Sequence, residues 1–310
     1  MGVKKKMGKK AFLFPGQGAQ YVGMAKEFYE RFPVCREVFE TAEKATGLDV
    51  AALCFEENEK INITEYTQIC MLTAEAAILK ALEDAGVHAD VTAGLSLGEY
   101  GALLAAGVLS LSDAFYLIRK RGIYMQEAVP EGGAMTAVLG LDADAVCRVC
   151  EETDGIVSIA NYNCPGQIVI TGEAAAVAAA AQACGKAGAK RAVPLNVSGP
   201  FHSKLLNGAG EKLQAELERT EIRDIQIPYL SNVTADYVTD KNLVRDLLVR
   251  QVSSPVRWQQ SVERMIADGT DEFVEIGPGR TLSGFLRKID RGALVCNIDK
   301  MEDFERYVNR

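Results

Sequence analysis

No stretch of the chain approaches the roughly 20 consecutive apolar residues that a membrane-spanning helix needs. Positive charge is not in excess either. The 34 Lys and Arg residues stand against 42 Asp and Glu, a formal net charge of -8, which disfavours nucleic acid or an anionic membrane as the main partner. The opening MGVKKKMGKK lacks the apolar region of a secretory signal, so a cytoplasmic location is expected and residues 1–7 read as a basic N-terminal extension. A second cysteine or histidine pair at zinc spacing is missing. Of eight cysteines only Cys147 and Cys150 form a CxxC, inside a predicted helix and without a second Cys/His pair, so reduced structural thiols and no metal are expected. Histidine is scarce, with His88 and His202 alone available as imidazole bases.

What the chain does contain is ordinary for a folded protein. A hydrophobic content of 48% with 25% charged residues can bury a core, and 310 residues exceed the usual single-core size. From Ala11 onward, apolar runs of strand length alternate with amphipathic helical segments, which predicts an α/β fold with a parallel sheet covered by helices. Strands are expected at 11–14, 91–95, 225–230, 272–276 and 293–297. Between them, residues 134–140, 156–162, 167–171 and 191–197 read as strands, with helices at 142–153 and 173–186. That βαββαβ order matches the ferredoxin-like motif. The chain therefore divides into a discontinuous hydrolase-like large domain, 8–132 and 198–310, and an inserted small domain, 133–197, with the default ligand site between them.

Chemistry concentrates at Gly94-Leu95-Ser96-Leu97-Gly98-Glu99, a G-x-S-x-G segment between a predicted strand and a small-residue helix over 100–106. A serine on such a turn needs glycines on both sides because the backbone is crowded there, and the turn exposes the hydroxyl. Taken alone, the segment also reads as a glycine-rich turn with an N-capping serine. A serine nucleophile requires a base. His88 lies in a polar loop, which leaves His202, in Gly199-Pro200-Phe201-His202-Ser203 at the expected start of a helix whose N-terminus would disfavour the imidazolium. The helix expected from Ser112 places Arg121 on its apolar face, where a guanidinium needs a carboxylate, either internal or on a ligand. Phe14 to Gln20 opens like a dinucleotide loop, but Tyr21 occupies the third glycine position; the loop instead offers backbone amides suited to an oxyanion hole.

Together with Pro15 to Gly18, Arg121-Gly122 with Met125-Gln126, Asn161 to Gln167 and Glu275 to Gly279, these segments resemble the malonyl-CoA:acyl carrier protein transacylase family of fatty acid and polyketide synthesis, over nearly the whole chain. The resemblance implies a hydrolase-like α/β domain with a ferredoxin-like insertion. It also implies Ser96 as the acylated nucleophile, His202 as its base, the amides of Gln17 and Leu97 as oxyanion hole, and Arg121 as ligand of the malonyl carboxylate. Gln17, Asn161, Phe201 and Gln251 join the substrate site, and a carbonyl near Gln251 orients His202 without an acidic third member. Leu97 and Phe201 look like malonyl-type forms, whereas Leu95 stands where the family usually has histidine. No cofactor is implied. The partners implied are malonyl-CoA and an acidic acyl carrier protein docking near Lys204, Arg280 or Arg287, and a monomer is expected. A trans-acting polyketide acyltransferase, a serine thioesterase and a silent carrier-protein-binding subunit remain as alternative readings.

Overall fold

The computed structural model describes residues 8–129, 131–197 and 199–310. The extension read at residues 1–7 and the boundary position 198 lie outside the described residues. The first part of the chain contains β1 (Lys9–Phe14), α1 (Lys26–Arg31), α2 (Pro33–Thr46), α3 (Val50–Phe55), α4 (Thr64–Asp84), β2 (Val91–Gly94), α5 (Gly98–Ala105) and α6 (Leu111–Ala128). The middle contains β3 (Gly133–Leu139), α7 (Ala143–Glu152), β4 (Val157–Cys164), β5 (Gln167–Glu173), α8 (Ala174–Lys186) and β6 (Arg191–Pro194). The rest comprises α9 (Asn207–Glu218), β7 (Tyr229–Leu230), β8 (Tyr237–Val238), α10 (Val244–Gln251), α11 (Trp258–Ala267), β9 (Thr270–Ile276), α12 (Thr281–Ile289), β10 (Leu294–Ile298) and α13 (Met301–Val308).

Two sheets result. The larger runs β10-β9-β1-β2-β7-β8 and is parallel except for β8, which returns antiparallel at the edge. The smaller is antiparallel, β4-β5-β3-β6. Its strands and helices follow the βαββαβ order that the sequence predicts. The sequence also predicts a strand over 225–230, and here the structure differs. Only Tyr229 and Leu230 pair, because Arg223 and Gln226 donate to the carbonyls of Val108 and Ala106 instead, and Pro228 has no N–H for a ladder. The helix expected from Ser112 begins at Leu111, capped by the Ser110 hydroxyl on the Asp113 N–H.

Alternation along β1 shows how the large sheet is buried. Phe12 and Phe14 face a cluster with α2, α4 and α6, while Ala11 and Leu13 face Trp258, Val262 and Leu286 of α11 and α12. The small sheet has its own core of Val138, Ile159, Ile168 and Ile170 against Val146 and Val177. Main-chain hydrogen bonds join the small sheet to the rest of the chain at Val256. Val256 donates to the Ala160 carbonyl at 2.8 Å and accepts from the Tyr162 N–H at 2.9 Å, so β4 is held against the segment that follows α10.

Candidate active site

Ser96 sits between the end of β2 and the start of α5 with φ +56°, a left-handed conformation that costs a non-glycine residue about 1 kcal/mol or more. The flanking glycines have a steric cause. A Cβ on Gly94 would lie 1.9 Å from the Gly98 carbonyl oxygen, and one on Gly98 would lie 2.2 Å from that of Phe14. The turn is therefore packed backbone to backbone against the end of β1. Asn232 locks it from the other side, its Oδ1 accepting from the Ser96 N–H at 2.7 Å and its Nδ2 donating to the Gly94 carbonyl at 2.6 Å.

Ser96 Oγ lies 2.7 Å from His202 Nε2. His202 Nδ1 faces the carbonyls of Gln251 at 2.9 Å and Ser254 at 3.1 Å. Carbonyls only accept, so Nδ1 carries the proton and Nε2 is the bare nitrogen facing the serine hydroxyl. Gln251 ends α10, and the unpaired carbonyls at a helix C-terminus supply the partial negative charge that a carboxylate supplies elsewhere. Burial lowers the His202 pKa to about 4, and the nearby Arg121 charge adds to that shift. The helix N-terminus invoked from sequence is not the cause. Only the short 3-10 turn Lys204–Leu206 follows His202, before α9. His202 is also left-handed, with φ +61°.

Arg121 reaches this pair from α6 with 1% of its surface exposed. Its Nη1 donates to Gln68 Oε1 at 2.7 Å, and its Nη2 donates to Ser96 Oγ at 3.1 Å and Gln251 Oε1 at 3.0 Å. No carboxylate forms an ion pair with it among the described residues. A buried guanidinium solvated by neutral oxygens beside a serine hydroxyl is a site for an anion that the protein itself does not supply.

Ser96 and His202 open into a cleft of about 370 Å³, with Arg121 buried behind Ser96 rather than among the lining residues. Gln17, Ser96, Leu97, Asn161, Phe201 and His202 all line it, as does Leu95. The N–H groups of Gln17 and Leu97 make no hydrogen bond among the described residues, and the Gln17 side chain donates to Thr64 Oγ1 at 3.1 Å. Gln251 departs from expectation. It is fully buried behind the cleft, with its amide committed to Arg121, the Ser96 carbonyl and Glu99, so it supports the site from beneath rather than lining it. His88 is exposed in its loop and takes no part.

Sequence reasoning misses Gln68, Asn163 and Asn232. Gln68 is masked because α4 is buried on nearly every face and shows no polar stripe. Asn163 lies within the Asn161 to Gln167 segment, yet only the fold turns it into the cleft. Asn232 follows a strand of two residues and has no local signal at all. Among the described residues no group of three or more His, Cys, Asp or Glu could hold a metal ion, and no helix is long and apolar enough to cross a membrane.

The acyl transferase domain family model matches residues 11–292. A malonyl CoA-acyl carrier protein transacylase from Bacillus subtilis is 46% identical over 304 residues, 96% of each chain. The crystal structure of a malonyl CoA-acyl carrier protein transacylase from Clostridium perfringens superposes with a TM-score of 0.94 at 43% identity, covering 97% of this chain and 96% of that one. A solved complex of a type II PKS acyl-carrier protein with its malonyl-transacylase matches with the same TM-score of 0.94 at 40% identity, covering 97% of this chain and 99% of that chain.

Proposed function

Because the chain belongs to the acyl transferase domain family, we infer that it is a malonyl-CoA:acyl carrier protein transacylase serving fatty acid biosynthesis. One observation carries the reading. The Arg121 guanidinium is buried, forms no ion pair with a carboxylate among the described residues and lies 3.1 Å from the Ser96 hydroxyl, where the free carboxylate of a malonyl thioester would complete it. Residues 8–132 with 198–310 form the large domain and residues 133–197 the inserted one, so the cleft lies between them. The enzyme works as a monomer in the cytoplasm, with neither nucleic acid nor membrane as partner and with no cofactor beyond its substrates.

In the first half-reaction Ser96 Oγ passes its proton to His202 Nε2 and bonds to the thioester carbonyl carbon. The amides of Gln17 and Leu97 hold the resulting oxyanion. The C–S bond then breaks, His202 returns the proton to the departing CoA sulfur, and malonyl-Ser96 remains. In the second half-reaction the phosphopantetheine thiol of the carrier protein gives its proton to His202, its sulfur bonds to the malonyl carbonyl carbon, and Ser96 recovers the proton as its ester bond breaks. Arg121 and the lining residues Asn161 and Phe201 hold the acyl group throughout. Arg280 and Arg287 are exposed and share a hollow beside α12 with Arg306 and Arg310, a basic face for an acidic carrier protein, with exposed Lys204 as a further contact.

Incubation with malonyl-CoA, acetyl-CoA and methylmalonyl-CoA, followed by intact mass measurement of the protein and of added holo carrier protein, tests this reading. A malonyl adduct that is lost in Ser96→Ala and passes to the carrier is expected. Preference for methylmalonyl would make the chain a supplier of another polyketide extender unit, and release of free acid in place of transfer would make it a thioesterase. An adduct that survives Ser96→Ala would refute the nucleophile assignment.

A further inference from the structure

Helix α5 reads GEYGALLA, and Glu99 is its one charged residue. Its carboxylate is fully buried and forms no ion pair among the described residues. Such a group is costly to retain unless it is hydrogen-bonded to something that needs it. Oε2 accepts two bonds, from Gln251 Nε2 at 2.8 Å and from the Asn232 N–H at 3.2 Å. Both donors lead back to the reacting groups.

The first arm runs through Gln251. Its Oε1 accepts from Arg121 Nη2 at 3.0 Å while its Nε2 donates to Glu99 and to the Ser96 carbonyl at 2.8 Å. One amide is thus aligned between a buried cation and a buried anion, and each of its ends makes a charge-assisted bond. The backbone of the same residue holds His202 Nδ1. The second arm runs through Asn232. Glu99 fixes its backbone, and its side chain grips the Ser96 N–H and the Gly94 carbonyl on either side of the left-handed serine.

We propose that Glu99 is a positioning residue for acyl transfer: through Gln251 and Asn232 its carboxylate fixes together the guanidinium of Arg121, the imidazole of His202 and the backbone of Ser96. Glu99 touches no reactant. Burial raises its pKa to about 7, with the hydrogen bonds from Gln251 and Asn232 opposing that shift, so a neutral isostere fits the site. The part of the proposal that concerns Arg121 rests on the transacylase reading; the part that concerns Ser96 and His202 does not.

Glu99→Ala and Glu99→Gln are compared with wild type for labelling of Ser96 by a fluorophosphonate, which needs only an activated serine, and for adduct formation with malonyl-CoA and acetyl-CoA. Circular dichroism and thermal midpoint report folding. Glu99→Ala is expected to slow fluorophosphonate labelling about 10- to 100-fold, the range typical of lost supporting contacts, and malonyl acylation about tenfold further than acetyl. Glu99→Gln keeps an oxygen facing both donors and is expected to restore labelling to within about threefold. Asn232→Ala cuts one arm only, so labelling should slow while the malonyl-to-acetyl ratio holds. A folded Glu99→Ala with wild-type labelling and selectivity overturns the proposal, as does a Glu99→Gln no better than Glu99→Ala. Should Glu99→Ala not fold, Glu99→Asp, which retains the carboxylate but shortens its reach, carries the same comparison. A wild-type protein that reacts with fluorophosphonate but takes no malonyl group would refute the transacylase reading while still testing how Glu99 positions Ser96 and His202.

Discussion

The wall of the cleft built on β2, α5 and α6 and the wall built on the four-stranded sheet differ in how their polar groups are engaged. On the first, Ser96, Asn232, Glu99, Gln251 and Arg121 form one connected set of hydrogen bonds, and the set fixes a strained serine. The second offers Met135, Val169 and Leu195, and buried Asn163 leaves its Oδ1 without a partner among the described residues. Preorganised dipoles stabilise charge that develops during reaction, whereas unpartnered groups wait for a ligand to complete them. The difference assigns the chemistry and the carboxylate contact of Arg121 to the first wall, and recognition of the rest of the thioester to the second.

Backbone packing gives the sharpest way to break that contrast. Gly98→Ala would push a Cβ to 2.2 Å from the Phe14 carbonyl oxygen, which has no slack, and should cost about 3 kcal/mol or more. Gly185→Ala, near the end of α8 on the small sheet, meets no atom within 4 Å and should stabilise by about 0.5 kcal/mol through helix propensity. Urea midpoints of the two variants, shifted in opposite directions, are the expected result. Equal shifts would deny the turn its special constraint.

Next in size is the charge on the first wall. Arg121→Ala should lower kcat/KM for malonyl-CoA on the order of a hundredfold and for acetyl-CoA about tenfold or less, because only malonyl brings a carboxylate. Stopped-flow acylation with both thioesters measures the ratio, and equal losses would remove Arg121 from carboxylate recognition. The same variant changes the response to pH. Burial and then Arg121 hold the His202 pKa at about 4, so the acid limb of acetyl acylation should lie far below the ordinary range for histidine. Removing the guanidinium makes the imidazolium cheaper, and the limb should move to higher pH. A limb that stays in place would mean that burial alone sets it.

Stability couples to the same two buried groups with opposite signs. His202, lowered from 6.5 to about 4, contributes stability that is complete above pH 6.5 and is lost as pH falls through 4, because the unfolded chain takes up a proton that the native one refuses. Glu99, raised from 4.5 to about 7, contributes stability that is complete below pH 4.5 and is lost as pH rises through 7. The two slopes oppose each other between pH 4.5 and 6.5. His202→Gln should therefore unmask the Glu99 slope and gain stability relative to wild type as pH falls through that window, readable from urea midpoints at pH 6.5 and 5. Parallel curves would show that His202 does not carry its buried shift.

How much of this the sequence discloses follows from where each signal lies. Ser96 is legible because its glycines are confined to six residues, His202 because only one other histidine competes, and Arg121 because a charged residue interrupts an apolar helix face. The βαββαβ succession of elements in the small domain is local in sequence and so is readable. Glu99 stands in plain view beside the nucleophile, yet its role depends on Asn232 and Gln251, 133 and 152 positions away. The free-base form of His202 is foreseen for the wrong reason, since helix placement can be guessed from sequence but burial beside a guanidinium cannot. The strand expected over 225–230 shortens to Tyr229–Leu230 because Pro228 removes a ladder donor.

The smallest expected effect probes the second wall. Asn163 is 7% exposed, and its Oδ1 has no partner among the described residues, so Asn163→Ala breaks no bond from that atom and should leave the thermal midpoint within a degree or two. If this wall serves recognition, the variant loses one hydrogen bond to the thioester in the ground state and the transition state alike. Uniform loss of about 1 kcal/mol raises KM for malonyl-CoA about fivefold and leaves kcat unchanged. Steady-state kinetics under saturating carrier protein separate the two parameters. A fall in kcat with KM unchanged would place Asn163 among the groups that act on the reacting carbonyl, and the division of labour between the two walls would fail at that residue.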